Sequence, residues 1–157
     1  MYIAEGSNER VTMWRRGAAC GEVVAGGCGW GSGPQQLSNP TGLHVDSEGT
    51  LYVAEYWNHR VSRWVPGADV GEVIAGGCGA GDELRQVKHP DGIFVDTRGD
   101  IYVAEFGNHR VTRWAPGAKE GVVVAGGRGR GEEPECLNSP TSVYVDEALA
   151  VYVSEHL

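Results

Sequence analysis

Short apolar runs of four to six residues alternate with polar connections along the whole chain. Between positions 92 and 126, "GIFV" (92–95), "IYVAE" (101–105), "RVTRW" (110–114) and "GVVVAG" (121–126) are rich in Val, Ile and aromatic residues, and each predicts a strand. The connections "DTRGD", "FGNH" and "APGAKE" carry the Gly, Pro, Asn and Asp of tight turns. The pattern is therefore a unit of four antiparallel strands, denoted a to d, with strand a read from Gly92 onward. No segment has a 3.6-residue apolar period. The stretch "GRGRGEEPECLNSP", which joins strand d to the next unit, is too rich in Gly for a helix.

The unit recurs at a fixed spacing. "YIAEGSNERVTMWRRG" (2–17), "YVAEYWNHRVSRWVPG" (52–67) and "YVAEFGNHRVTRWAPG" (102–117) are offset by fifty residues, and "YVSEHL" starts again at 152. This divides the chain into repeat units 1–50, 51–100 and 101–150, with 151–157 opening a fourth and full blades at about 40–79 and 90–129. Sequential four-stranded sheets at this period are the signature of a β-propeller, in which each sheet is a blade stacked on its neighbours. The expected fold is all-β: a partial propeller forming an open arc of about three blades, a single domain over 1–157 with about thirteen strands. Stacking explains strands that are apolar on both faces. It also makes His44, equivalent to Phe94 and Tyr144, a packed or channel-lining residue, and Trp14, Trp64 and Trp114 packing residues. Glu5 and Arg10, Glu55 and Arg60, and Glu105 and Arg110 flank the same four-residue loop, so each pair can meet across its hairpin as a structural link within the blade.

Composition narrows the partner. Of 157 residues, 25 are Gly, over twice the roughly 7% average, at fixed repeat positions that imply turns. The net charge of −8 disfavours nucleic acid, whose phosphates call for clustered Lys and Arg. The amino end has neither the basic start nor the apolar core of a signal peptide, and no apolar run reaches membrane-spanning length, so a cytoplasmic, non-membrane protein is expected. Cys20, Cys28, Cys78 and Cys136 form no C-x-x-C pair and read as free thiols.

The motifs "P-x-G-[LI]-x-V-D", "LYVAE", "NHRV-x-RW-x-PG" and the Gly-rich link resemble NHL repeats, the blades found in tripartite-motif ubiquitin ligases, bacterial sensor proteins and a peptide-amidating lyase. The resemblance covers essentially the whole chain. It implies a propeller, commonly six-bladed, that recognises protein or RNA more often than it catalyses. Ubiquitin-ligase activity would need a zinc-binding RING region that this stretch lacks. Two departures stand out: Glu replaces the usual Asp at the end of strand b, and the first copy reads "NERV", with Glu9 in the His slot.

Where identical positions build a scaffold, the differences between copies are where a partner can be told apart. Because strands alternate in direction, the b–c loops and d–a links share one rim, opposite the a–b and c–d turns. On that rim stand Trp30, Tyr56, Trp57, Phe106, Arg128 and Arg130, residue types favoured as interface anchors. The expected function is non-catalytic recognition or scaffolding of a protein partner through these loops. The alternatives are a metal-dependent propeller enzyme resembling the amidating lyase and an RNA-binding NHL domain. "RGRG" would serve RNA, but Glu132, Glu133 and Glu135 follow at once. No metal site or cofactor is expected: His59 and His109 have no third partner, and no nucleophile elbow, zinc motif, P-loop or calcium loop is present. The open arc is expected to belong to a longer chain, with a homodimer closing a six-bladed ring as the alternative.

Overall fold

The computed structural model describes residues 1–156, and Leu157 lies outside the description. Thirteen strands form four antiparallel sheets. Blade 1 holds β1 (Tyr2–Glu5), β2 (Arg10–Met13) and β3 (Glu22–Gly26). Blade 2 holds β4 (Pro40–Val45), β5 (Leu51–Glu55), β6 (Arg60–Trp64) and β7 (Glu72–Gly76). Blade 3 repeats that plan with β8 (Pro90–Val95), β9 (Ile101–Glu105), β10 (Arg110–Trp114) and β11 (Val122–Gly126). Blade 4 contributes β12 (Pro140–Val145) and β13 (Val151–Glu155).

Strand a is longer than its apolar run. It starts at Pro90 rather than Gly92, because Pro90 pairs with Glu105 before a register shift that resumes at Ile93. Proline tolerates this first strand position, where no ladder donor is needed. The b–c loops also tighten more than a plain hairpin: Gly6–Asn8 and Phe106–Asn108 each form one 3-10 turn. The residue after each turn, Glu9 and His109, adopts a left-handed backbone, as does His59 between them.

Both faces of blades 2 and 3 are buried against neighbours. Leu51, Val53 and Trp64 point back towards Val11, Ala25 and Leu37, while Tyr52, Ala54, Val61 and Ala75 point forward to Ile93, Val95, Val103 and Trp114. The period of two thus divides one strand between two cores. The d–a links take part in them. Leu37 and Val87 are fully buried, and Gly26 and Gly76, both at positive φ, leave room for them: a Cβ on Gly26 would meet Leu37 Cδ1 at 2.8 Å. The Trp64 and Trp114 indoles are buried in these cores, whereas Trp14 is half-buried outside them, and Trp114 Nε1 donates to Thr112 Oγ1 at 3.1 Å. At the axis, strands a approach so closely that a Cβ on Gly42 would collide with the Asp91 carbonyl. His44 lies there, edge-on to Phe94, whose ring meets Tyr144 in turn, and its Nδ1 accepts from the Val95 N–H at 3.4 Å.

Candidate recognition surface

One rim is fixed by hydrogen bonds between each b–c loop and the link that precedes its blade. Tyr56 N–H donates to the Asn39 carbonyl and Trp57 N–H to Ser38; fifty residues on, Phe106 donates to His89 and Gly107 to Lys88. Asn58 and Asn108 add side-chain bonds to the Gly31 and Gly81 carbonyls at 2.8 and 2.7 Å. The loops therefore present their side chains from a braced backbone.

The Glu–Arg pairs reach further than a hairpin. Arg60 Nε donates to Glu55 Oε1 at 2.8 Å, and its Nη atoms donate to the Ser32 and Gln36 carbonyls. Arg110 lies 3.1 Å from Glu105 and binds the Asp82, Glu83 and Gln86 carbonyls. Glu105 also accepts from Asn108 at 2.6 Å and Thr112 at 2.7 Å. The extra methylene of Glu over Asp lets one carboxylate serve loop, strand c and guanidinium together. In blade 1 Arg10 bonds to Glu5; Arg10, Asn8 and Thr12 hold the Glu5 carboxyl at about 2 rather than its ordinary 4.5.

The His slot links blades. His59 Nδ1 accepts the His89 N–H at 3.1 Å, His109 Nδ1 accepts the Ser139 N–H at 3.0 Å, and Glu9 Oε2 accepts the Asn39 N–H at 2.6 Å. Any acceptor on a side chain of suitable reach fills the role, which is why Glu9 can stand there. Burial lowers the pKa of both rings, helped by His89 and Lys88 at His59 and by Arg130 and Lys88 at His109.

On this frame the structure gathers an aromatic strip. Tyr56 stacks on His89 with centroids 4.6 Å apart, Trp57 meets both edge-on at 4.9 and 5.3 Å, and Phe106 lies 6.1 Å from Tyr56. His156 extends the strip 6.4 Å beyond Phe106. Trp57 is 55% exposed. Blade 1 has only Gly6 and Ser7 at the positions of Tyr56 and Trp57. Trp30, 70% exposed, and the exposed Arg128 and Arg130 stand apart on the links, with no ring contact to the strip; Arg128 lies 3.8 Å from Glu135. Sequence reading missed His89, which sits in "QVKHP" with no counterpart in the other copies. Its only signal was that the equivalent positions read Asn39 and Ser139.

Among the described residues no group of three or more His, Cys, Asp or Glu is placed to hold a metal, and the four cysteines are unpaired. Among the same residues no helix is long and apolar enough to cross a membrane.

The NHL repeat model matches residues 37–64 and 88–114. No curated protein matches the chain. Among solved structures, a Bacteroides thetaiotaomicron protein of unknown function superposes with a TM-score of 0.72 at 17% identity, covering 98% of this chain and 41% of its own. Inactive virginiamycin B lyase from Staphylococcus aureus with quinupristin gives 0.60 at 15% identity, covering 98% and 44%. A gluconolactonase from Xanthomonas campestris gives 0.55 at 18% identity, covering 74% and 34%. The chain spans about two fifths of the length of the first two and a third of the last. At these identities the likeness is one of fold, and one fold hosts many functions.

Proposed function

We propose that this partial β-propeller, whose residues 37–64 and 88–114 match the NHL repeat, is a non-catalytic recognition module that binds a protein partner through the rim of b–c loops and d–a links. The observation that carries this reading is the aromatic strip of Trp57, Tyr56, His89 and Phe106, which crosses two blades on a hydrogen-bonded frame. A frame built from repeated residues holds side chains that are not repeated, as expected where the scaffold is general and the partner particular. Rigid aromatic anchors of this kind supply much of the energy of protein interfaces, with losses of 2 kcal/mol or more on truncation. Trp30, Arg128 and Arg130 on the same rim extend the contact outward.

The test compares rims. Native affinity purification is carried out with the parent chain, with Trp30→Ala/Trp57→Ala/Arg128→Ala, and with Glu48→Ala/Asp69→Ala/Lys119→Ala on the opposite turns. A protein held by the parent and by the opposite-turn variant, but lost at least tenfold from the first, is the expected outcome. Equal loss from both variants, or loss only from the second, overturns the choice of rim.

A further inference from the structure

Beside the strip, the third blade carries a notch lined by Asp82, Lys88, Asn108, His109 and the already paired Arg110, together with Gly107 and Gly127. Lys88 is half-buried. Among the described residues, every other base that is not fully exposed meets a carboxylate: Arg10, Arg60, Arg63, Arg110 and Arg113. Lys88 has neither an ion pair nor a hydrogen bond there, in a chain whose net charge is −8. The stem of Lys88 is covered while its ammonium is left without a carboxylate, so an unneutralised cation lines the notch.

The notch is particular to this blade. A Cβ on Gly107 would come within 2.8 Å of Lys88 Cγ, so the lysine stem occupies the space that a side chain at 107 would fill. The preceding blade reverses the pair, with Ser38 at the lysine position and Trp57 at the glycine position. Lys88 and Arg130 both act on His109, adding to the lowering by burial. Because His109 Nδ1 accepts from Ser139, the proton of the neutral ring sits on Nε2, a donor. Asp82 is exposed at the edge, its carbonyl engaged by Arg110, and its carboxylate makes no ion pair with Lys88.

We propose that this notch receives a carboxylate from the protein partner, an Asp or Glu side chain or a chain terminus, with Lys88 as its counter-ion. The proposal rests on the rim reading and names the chemistry of the partner at one point of it. The ammonium supplies charge, Arg130 adds long-range attraction, and the neighbouring aromatic strip supplies apolar contact for flanking residues.

Titration of the whole chain with acetylated, amidated tri-aspartate, followed by NMR at the Gly107 amide and the His109 ring, tests it. Tri-asparagine, inorganic phosphate and oligouridylate serve as parallel arms. The expected result is saturable shifts with tri-aspartate alone, weakened at least tenfold by Lys88→Met and unchanged by Lys119→Met. The double variant Lys88→Ser/Gly107→Trp, which installs the pair of the preceding blade, should likewise lose the response while keeping its strand signals. No saturable shift, equal response to tri-asparagine, tighter binding of phosphate or oligouridylate, or full binding by Lys88→Met overturns the proposal. Tri-aspartate binding in a protein whose partner survives replacement of Trp30, Trp57 and Arg128 would leave the notch standing and sink the rim reading. The reverse result would sink the notch alone.

Discussion

His59 and His109 accept a backbone N–H at Nδ1, and a protonated imidazole has no acceptor to offer there. Burial, first among the causes, holds both below the 6.5 of a free imidazole, so between that value and the lower folded one the unfolded chain binds more protons than the folded chain. Stability then rises with pH. The contribution is fully present above about 6.5 and is lost as pH falls through that value towards the folded ones. Urea midpoints measured at pH 7.5 and 5.0 should fall at the lower pH. His59→Gln/His109→Gln, which keeps an acceptor that does not titrate, should reduce the difference without abolishing it, because burial lowers His44 and His89 too. An unchanged difference in the double variant removes the link from the account. The slot itself was legible as a repeat position, but its partner thirty residues away was not. A backbone N–H leaves no trace in sequence, and only the exchange of His for Glu9 pointed to an acceptor.

The buried Arg110, like Arg60, joins strands to the preceding link. Its side chain is 6% exposed and that of Glu105 is fully buried, and the guanidinium spans strand b, strand c and three carbonyls of the preceding link. Arg110→Met leaves the buried Glu105 carboxylate without a counter-ion, held only by Asn108 and Thr112, and strips three link carbonyls of their donor; it should cost about 3–5 kcal/mol by denaturant unfolding. Arg10→Met should lose less, since Arg10 is partly exposed and binds no link. Equal losses would mean that the link contacts contribute nothing. At this scale the sequence was most informative: runs of Val, Ile and aromatics separated by Gly and Pro turns place all thirteen strands, because hairpin pairing is local. The links were less legible. Leu37 and Val87 are single apolar residues among Gly and polar neighbours, with no periodicity to announce that they plug the cores between blades. The aromatic strip was half legible, since Tyr56, Trp57 and Phe106 differ between copies, whereas the stacking of His89 depends on where the link crosses the loop.

Across the whole molecule the same repeat position meets different environments. Val53 and Val103 are fully buried between blades, but their counterpart Ile3 is 36% exposed on the outer face of blade 1. Tyr102 is 3% exposed, whereas its counterpart Tyr152 is 56% exposed on the opposite end, beside Tyr144. These two faces are the complementary halves of the interface that joins every internal pair of blades, and soluble monomers rarely leave apolar patches above a few hundred Å² uncovered. Further blades or a second copy of the chain would cover them equally well in kind. The chain alone should therefore self-associate with rising concentration when followed by light scattering. Ile3→Glu and Tyr144→Glu/Tyr152→Glu, at opposite ends, should each reduce association, and each on its own should suffice, because a head-to-tail contact needs both faces. A parent chain that stays at its 16.8 kDa mass at high concentration would show that the end faces are tolerated in water. Association that neither variant weakens would place the contact elsewhere, with the exposed valines of the outer strand β11 as the next surface to change.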